Sequence, residues 1–386
     1  MSNILLLGSG TQALSFARVL KRIRHKVFLL SEEKGNYADK SRYVSKIICL
    51  PTNSLDENCL SILVGIIKEN SIDTIIPMGD DSAQFISRYL AIVQSVASVK
   101  MPQLDNFFRG YDKNQLMRLC AQSGYPHPTT IDLDEISLDS EAVKTFHFPA
   151  ILKPNQTTGG RGMVKIESYE ELLEKYDGLH KSYGGYHLQE YIHPGGRQLK
   201  VQLYIDENKN LIQSSVMQKV RWYPVEAGSS CCAVSVYESS IVDVCYSILK
   251  DIDWVGFADF DVIENPKTKE LLVMEINPRV PACIELPIAA GINWAEVIVN
   301  GYMNLPQKTY SYKEGVALRH IGLDFLWFCK SKSRWTTKPS WFKFIGHDIH
   351  YQDISDWSDP LPFISGTWNN IKKLFNPAFK ETKGIK

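Results

Sequence analysis

The chain lacks any overall charge bias, since 43 Lys and Arg residues meet 43 Asp and Glu over 386 residues. A surface shaped as a whole for nucleic acid needs a strong positive field around the phosphate backbone, so that class is excluded and no nucleic-acid partner is expected. Paired cysteines are also scarce. Cys49, Cys59, Cys120, Cys245, Cys283 and Cys329 stand singly, Cys231 and Cys232 are adjacent, and no C-x-x-C spacing occurs. They read as reduced thiols, mostly in the core, rather than as a disulfide framework or a zinc site. No apolar run approaches the roughly 18 residues of a spanning helix. Met1 to Leu7 enters a strand pattern directly, without the charged start and cleavage site of a signal peptide. The expected location is the cytoplasm. Internal repeats and low-complexity segments are absent from the sequence as well.

What is present is an ordinary globular composition, 44% apolar and 22% charged. At roughly 100 to 200 residues per domain, the length suggests two or three domains. Ile4 to Leu7 is a short apolar run ending in Gly8-Ser-Gly10, then a helical spacing through Leu20, then Val27 to Leu30. A second cycle runs from Leu60 through Thr74-Ile-Ile-Pro77 into Met78-Gly-Asp80-Asp81. This alternation predicts a parallel sheet with helical crossovers over 1–110, with ligand loops at the carboxyl ends of its strands. After Tyr111 the pattern becomes α+β with mostly antiparallel strands, expected as two parts, 111–190 and 191–318. From Arg319 the composition turns to Trp, Phe, Lys and Pro, and 319–386 is expected as an aromatic and basic extension.

Three constellations carry chemistry. Lys153 closes an apolar strand and is followed by Thr157-Thr158-Gly159-Gly160-Arg161-Gly162. Small residues let backbone N–H groups approach phosphate oxygens, so the pair reads as a phosphate clamp, or else as a glycine-rich hairpin beside a solvated lysine. The spacing does not match a P-loop. In Val273-Met-Glu275-Ile-Asn277-Pro-Arg279, alternation puts Glu275 and Asn277 on one face. With Asp261 from another predicted strand they form a hard-oxygen set suited to Mg²⁺ (or Mn²⁺) beside substrate phosphates. The competing reading is the wet side of an antiparallel sheet. Finally, Asp80 and Asp81 lie between a predicted strand and helix, where they could accept hydrogen bonds from an amine or cap the helix, with Asp81 capping the next turn.

Taken in order, Lys113, Lys153 with its loop, Leu188-Gln-Glu190-Tyr191-Ile192, Asp261 and Glu275-Ile-Asn277-Pro-Arg279 resemble the ATP-grasp superfamily. The likeness spans roughly residues 1 to 318 and is strongest toward single-copy proteins related to the carbamoyl-phosphate synthase large chain and to D-aspartate ligases. The resemblance implies an ATP-grasp fold preceded by a Rossmann-like domain, with ATP and Mg²⁺ as cofactors. Lys113 and Lys153 would hold the nucleotide phosphates, with Thr158, Gly159, Gly160 and Gly162 folding over them. Glu190, Tyr191 and Ile192 would form the hinge at the adenine edge, and Gln198 would stand where relatives carry an acidic ribose ligand. Asp261, where a Glu is commoner, joins Glu275 and Asn277 as metal ligands, and Arg279 steadies the transferred phosphoryl group. Such an enzyme activates a carboxylate as an acyl phosphate and joins it to an amine or a thiol.

Several further readings stand beside this one. Arg221, in Gln218-Lys219-Val-Arg221, is the candidate for a substrate carboxylate or phosphate. Gly8-x-Gly10-x-x-Ala13 followed by Glu32-Glu33 approaches a dinucleotide fingerprint, so an NAD(P)-dependent oxidoreductase is the rival class; in the ATP-grasp reading Gly10 helps to bind the acceptor. A nucleotide-binding protein without turnover is the other. His347 and His350 suggest a metal but lack further ligands, and a surface loop is the better reading. Arg319 to Gly346 holds six Lys and Arg, one acid and seven aromatics, suiting peripheral contact with anionic lipid or packing of the rings on the body. The expected assembly is a monomer or a homodimer.

Overall fold

The computed structural model describes residues 1–31, 35–50, 57–156, 162–225, 228–352 and 356–374. Its first sheet holds β1 (Asn3–Leu7), β2 (Lys26–Ser31), β3 (Lys46–Cys49) and β4 (Thr74–Pro77) in the parallel order β3-β2-β1-β4. Ile4 to Leu7 are buried because helices cover both faces of the sheet. The chain winds outward from β1 to β3 and returns to the far side of β1 with β4. The switch point therefore lies between β1 and β4, where the loops beginning at Gly8 and Met78 meet. Gly8 has a φ of 140°, and a Cβ there would stand 3.0 Å from Met78 Cβ, so the close approach depends on glycine.

A second, antiparallel sheet contains β5 (Thr130–Asp132), β6 (Ala150–Pro154), β7 (Val164–Ile166) and β8 (Tyr186–Glu190) in the order β5-β8-β6-β7. Leu152, Ile166, Leu172 and Leu188 form its core against the helix Tyr169–Tyr183. The third sheet has seven strands: β9 (Gln198–Ile205), β10 (Leu211–Tyr223), β11 (Ser229–Val236), β12 (Gly256–Glu264), β13 (Leu271–Asn277), β14 (Ala317–Arg319) and β15 (Ile349–Tyr351). Their order is β13-β12-β9-β10-β11-β14-β15. One face, with Leu199, Val201, Ala258, Phe260 and Ile276, packs on the helix Ser239–Ile252. The opposite face carries Lys200, Gln202, Asp259 and Asp261 by alternation.

Packing crosses two of the expected boundaries. The parallel-sheet core continues through Phe257, Ile284, Trp294 and Ile298, beyond residue 110. Residues 319–386 are likewise not a separate extension. β14 crosses the expected boundary, and β15 lies parallel to it at the sheet edge, carrying His350 in a strand rather than a loop. Farther on, Asp359 is buried against the first sheet's helices, accepting from Arg18 Nε at 3.2 Å and Ser41 Oγ at 2.7 Å. Three-residue strands and ion pairs across 341 positions leave no local pattern to read.

Among the described residues no single helix is long and apolar enough to cross a membrane. The bent pair Ala282–Ala290 and Trp294–Tyr302 has the composition, but Trp294, Val297 and Ile298 are fully buried in the core.

Candidate active site

The centre of the site is a rung of polar side chains across the large sheet. β12 and β13 pair so that Asp261 faces Glu275 and Asp259 faces Asn277, and β9 sets Lys200 beside Asp261. Residues opposite one another in an antiparallel ladder share a face, so these groups converge. Lys200 Nζ lies 2.6 Å from Asp259 Oδ2 and 2.9 Å from Asp261 Oδ2. Lys219 Nζ, from β10, reaches Asp261 Oδ1 at 2.6 Å. Burial opposes ionisation of Asp261, yet Lys200 and Lys219 outweigh it and hold the carboxyl well below the usual range. Asn277 Nδ2 donates to Asp261 Oδ2 and to the Asp259 carbonyl, each at 3.2 Å, which leaves its Oδ1 to act as an acceptor. Lys200 and Asp259 escaped the sequence reading. The available signal was polar alternation in otherwise apolar strands, Gln198, Lys200 and Gln202 in β9 and Asp259 and Asp261 in β12.

Two further lysines approach from the small sheet and its preceding helix. Asp112 caps the helix Lys113–Ser123 through the N–H groups of Asn114 and Gln115, at 3.0 and 3.1 Å. That cap fixes the first turn, from which Lys113 Nζ comes within 3.3 Å of Glu275 Oε2. Lys153, in β6, is only 8% exposed and donates to Gln189 Oε1 at 2.5 Å. Burial pushes its ammonium down to about 8, with Glu275 opposing and Lys113 reinforcing the shift. A buried lysine this close to a second one is costly unless an anion joins them.

The glycine loop is seen only at its end. Thr158, Gly159 and Gly160 lie outside the described residues. Gly162 has a φ of 73° and its carbonyl accepts from Tyr186 Oη at 3.1 Å. A Cβ there would come within 2.8 Å of Pro154 Cγ, so both conformation and space require glycine. At the hinge, the Glu190 side chain accepts from Thr129 N at 3.2 Å while its own N–H donates to Thr129 O at 2.8 Å. Tyr191 and Ile192 follow β8, with Lys165 Nζ 4.7 Å from the Tyr191 ring centroid. Gln198 opens β9 opposite Lys219 and Ile263.

The remaining wall comes from the first sheet. Arg279, two residues beyond β13, pairs with Asp80 at 3.0 Å, and Asp80 opens the helix that follows β4. Tyr111 sits among these groups, unnoticed in the sequence: burial, then Asp80, Asp81 and Glu275, raise its phenol. Asp81 is exposed, and Ser82 rather than Asp81 closes the helix start by accepting from Gly79 N at 3.1 Å.

Arg221 is a correction. It is fully buried, with Nε and Nη2 on the two Asp324 oxygens at 2.6 and 3.0 Å and Nη1 on Pro339 O at 2.8 Å. The cause is a bulge in β10: Lys219 pairs with Ala233, but Arg221 pairs with Cys232, one residue on. One extra residue turns the side chain to the opposite face. Lys219, not Arg221, reaches the polar rung.

The dinucleotide reading meets an obstacle in the same region. Glu32 and Glu33 lie outside the described residues, but the helix start after Gly10 is covered. Gln352 Nε2 donates to Thr11 Oγ1 at 2.8 Å and to Ala282 O at 2.7 Å. The C-terminal segment thus contacts the first turn of the helix that a pyrophosphate would have to meet. His347 and His350 gather no further ligands, as no group of three His, Cys, Asp or Glu suited to a metal occurs among the described residues.

The donor chemistry fits a hard cation at Glu275, whose side chain is 33% exposed, and at the Asn277 carbonyl. Asp261 fits only when one of its two ammonium partners gives way. Lys113, Lys153 and Arg279 offer positive charge around that position, which suits a polyphosphate.

Residues 112–298 match the family model described as carbamoyl-phosphate synthase L chain, ATP binding domain. The chain is 27% identical over 228 residues to the carbamoyl phosphate synthase large chain of Clostridium acetobutylicum, covering 56% of this chain and 21% of that one. It thus spans about a fifth of that relative's length. Among solved structures, biotin carboxylase from Campylobacter jejuni superposes with a TM-score of 0.66 at 17% identity, over 82% of this chain and 74% of that one. The biotin carboxylase domain of 2-oxoglutarate carboxylase from Hydrogenobacter thermophilus, solved with MgADP, ADP and bicarbonate, gives 0.67 at 16% identity, over 82% and 73%. The fold is ATP-grasp with an N-terminal parallel-sheet region, and the chain resembles the carbamoyl-phosphate synthase large chain.

Proposed function

We propose that this chain is an ADP-forming ligase that activates a carboxylate with ATP and joins it to an amine. The observation carrying the reading is the convergence, from three separate sheets, of Lys153, the Lys113–Glu275 pair and the Arg279–Asp80 pair around one rung. Lys113 and Lys153 bind the phosphates, and the buried Lys153 regains its full charge beside a polyanion. Glu275 and Asn277, joined by Asp261, would hold a Mg²⁺ ion, which supplies charge neutralisation between phosphate oxygens. Arg279 screens the approach of the carboxylate, itself an anion, to the γ-phosphate.

In the reaction a carboxylate oxygen attacks the γ-phosphorus, an O–P bond forms, and the bond to the ADP oxygen breaks. The amine nitrogen then attacks the acyl carbon, inorganic phosphate leaves with the C–O bonding pair, and the amine proton passes to phosphate or solvent. No side-chain nucleophile is required. Asp80 and Tyr111, beside Arg279, are placed to orient the amine. The loop ending at Gly162 would exclude water from the acyl phosphate.

The test is a screen of paired carboxylates and amines for ADP and phosphate release. Turnover that needs both partners and disappears in Lys153→Ala and Glu275→Ala supports the reading. ATP binding without release for any pair would favour a nucleotide-binding protein without turnover, and tight NAD(P) binding without ATP would restore the redox class.

The C-terminal region adds a second surface. Trp335 and Phe342 stack at 5.5 Å while remaining 71% and 51% exposed, and Phe325 and Ile345 are 56% and 92% exposed. Lys330, Lys332 and Lys338 are exposed in the same segment, and its single acid, Asp324, is buried between Arg221 and Arg319. Exposed rings bordered by uncompensated cations match an anionic lipid surface.

A further inference from the structure

The edge of the first sheet and the C-terminal segment enclose a cavity of about 410 Å³, within the size range of small-molecule sites. Lys40, Arg42 and Lys46 stand around it, and all three are exposed. Lys46 Nζ donates to Asn70 Oδ1 at 2.7 Å and Arg42 Nη1 to the Ser358 carbonyl at 3.2 Å. Both acceptors are neutral, and among the described residues none of the three cations has a carboxylate partner. The two acids in the wall do not compensate them. Asp359 is shared between Arg18 Nε, Ser41 Oγ and the Arg42 N–H, at 3.2, 2.7 and 2.9 Å. Asp39 turns inward, Oδ2 accepting from Gly35 N and Asn36 N at 2.9 and 3.1 Å and Oδ1 buried away from solvent. Three positive charges therefore border one small space without a fixed counter-charge.

The same cavity adjoins an apolar stripe. Leu361, part of its wall, begins the helix Leu361–Leu374, and Leu361, Ile364 and Trp368 recur at helical spacing on an exposed face. Pro362 and Gly366 form the buried face, where a Cβ at Gly366 would collide with the Tyr37 ring. That close packing fixes the rotation of the helix and keeps the stripe outward. Lys372 follows one turn later, its Nζ 5.7 Å from the Trp368 ring centroid. An anion matching this arrangement carries its charge at one end and an apolar body at the other.

We propose that the cavity takes the phosphomonoester headgroup of an anionic lipid, while the stripe of Leu361, Ile364 and Trp368 lies against its acyl chains. Near pH 7 a phosphomonoester carries more than one negative charge. A phosphodiester carries one, so three cations around a single space favour the monoester. The assignment rests on the lipid reading under Proposed function, and adds to it a headgroup choice that exposed rings and scattered lysines do not make.

The experiment compares binding of the full chain to vesicles of phosphatidylcholine with phosphatidic acid, a monoester, or phosphatidylglycerol, a diester, at matched surface charge. The wild type should prefer phosphatidic acid by about fivefold or more. Lys40→Gln with Arg42→Gln and Lys46→Gln should bring the two lipids within about twofold, mainly by weakening phosphatidic acid. If that variant does not fold, the Lys40→Gln and Lys46→Gln pair should still lose part of the preference. An unchanged preference in the variant that folds overturns the proposal. Ile364→Ser with Trp368→Ser should weaken both lipids by about tenfold, and no change would remove the stripe and the proposal with it. Glycerol 3-phosphate, at a concentration equal to that of the accessible lipid, should not displace the protein. Displacement would make the cavity a site for a soluble phosphate ester and overturn the lipid assignment. A wild type that binds neither vesicle sinks the lipid reading itself, whereas one that binds both equally sinks only the headgroup site.

Discussion

Arg279 Nε lies 3.0 Å from Asp80 Oδ1 across 199 positions of sequence. The contact ties the end of β13, next to the carboxylate rung, to the switch-point loop of the parallel sheet. Under the proposed function, the contact joins a residue assigned to the nucleotide side with one assigned to the acceptor side. Asp80→Asn keeps the shape and removes the charge. It should raise the KM for the amine about tenfold and leave the dissociation constant for ATP within about twofold. Steady-state ADP release, with each substrate varied in turn, measures both, and an ATP affinity that falls in parallel would remove Asp80 from the acceptor side.

Lys153 sets a pH dependence. Its ammonium titrates at about 8, against 10.5 for an ordinary lysine. Below about 8 the free protein presents a charged phosphate ligand; above it the charge is lost, so ATP affinity should fall toward tenfold per pH unit. Between about 8 and 10.5 the unfolded chain holds the proton that the folded chain has released, so this group's contribution to stability rises with pH. Lys153→Arg should flatten the binding profile, and calorimetric titrations from pH 6.5 to 9.5 would decide. A wild-type profile flat across that range contradicts the assignment.

The Asp324 carboxylate holds two buried guanidinium groups, Arg221 at 2.6 Å and Arg319 at 2.6 Å. Asp324→Ala leaves both uncompensated and should cost about 3 to 5 kcal/mol in denaturant unfolding. ATP affinity of the remaining folded protein should stay within about twofold, because this cluster faces away from the rung. A strong loss of nucleotide affinity at unchanged stability would return Arg221 to the site.

For the exposed aromatic face, removing residues 319–386 is a poor test, since that cut takes away β15, Asp324 and Asp359 together. Phe325→Ser with Trp335→Ser and Phe342→Ser changes only half or more exposed rings. Wild-type protein should sediment with phosphatidylglycerol-containing vesicles, weakly with phosphatidylcholine alone, and less as salt rises. The triple variant should lose at least about tenfold in binding. Equal sedimentation of the two proteins would show that the rings take no part.

The polar rung was legible where its spacing is local. Glu275, Asn277 and Arg279 lie within five residues, and strand alternation gives the first two a common face. Lys113 and Lys153 became legible through order along the chain. Lys200, Asp259 and Tyr111 were not, since each joins the site only through pairing between distant strands or helices; Lys219 stood in the segment singled out, but Arg221 was chosen within it. Arg221 was misread because a bulge is invisible to simple alternation: one extra residue reverses the face.

By itself the sequence determined the periodicities, hence a parallel sheet followed by antiparallel ones, and the residue types able to meet phosphate and a hard cation. These depend on neighbours two to four positions apart, where alternation and helical spacing act directly. Only the tertiary structure decided which charges meet, where the C-terminal segment packs and which strand face Arg221 takes. Those outcomes depend on register, bulges and burial, which arise when remote segments share one core.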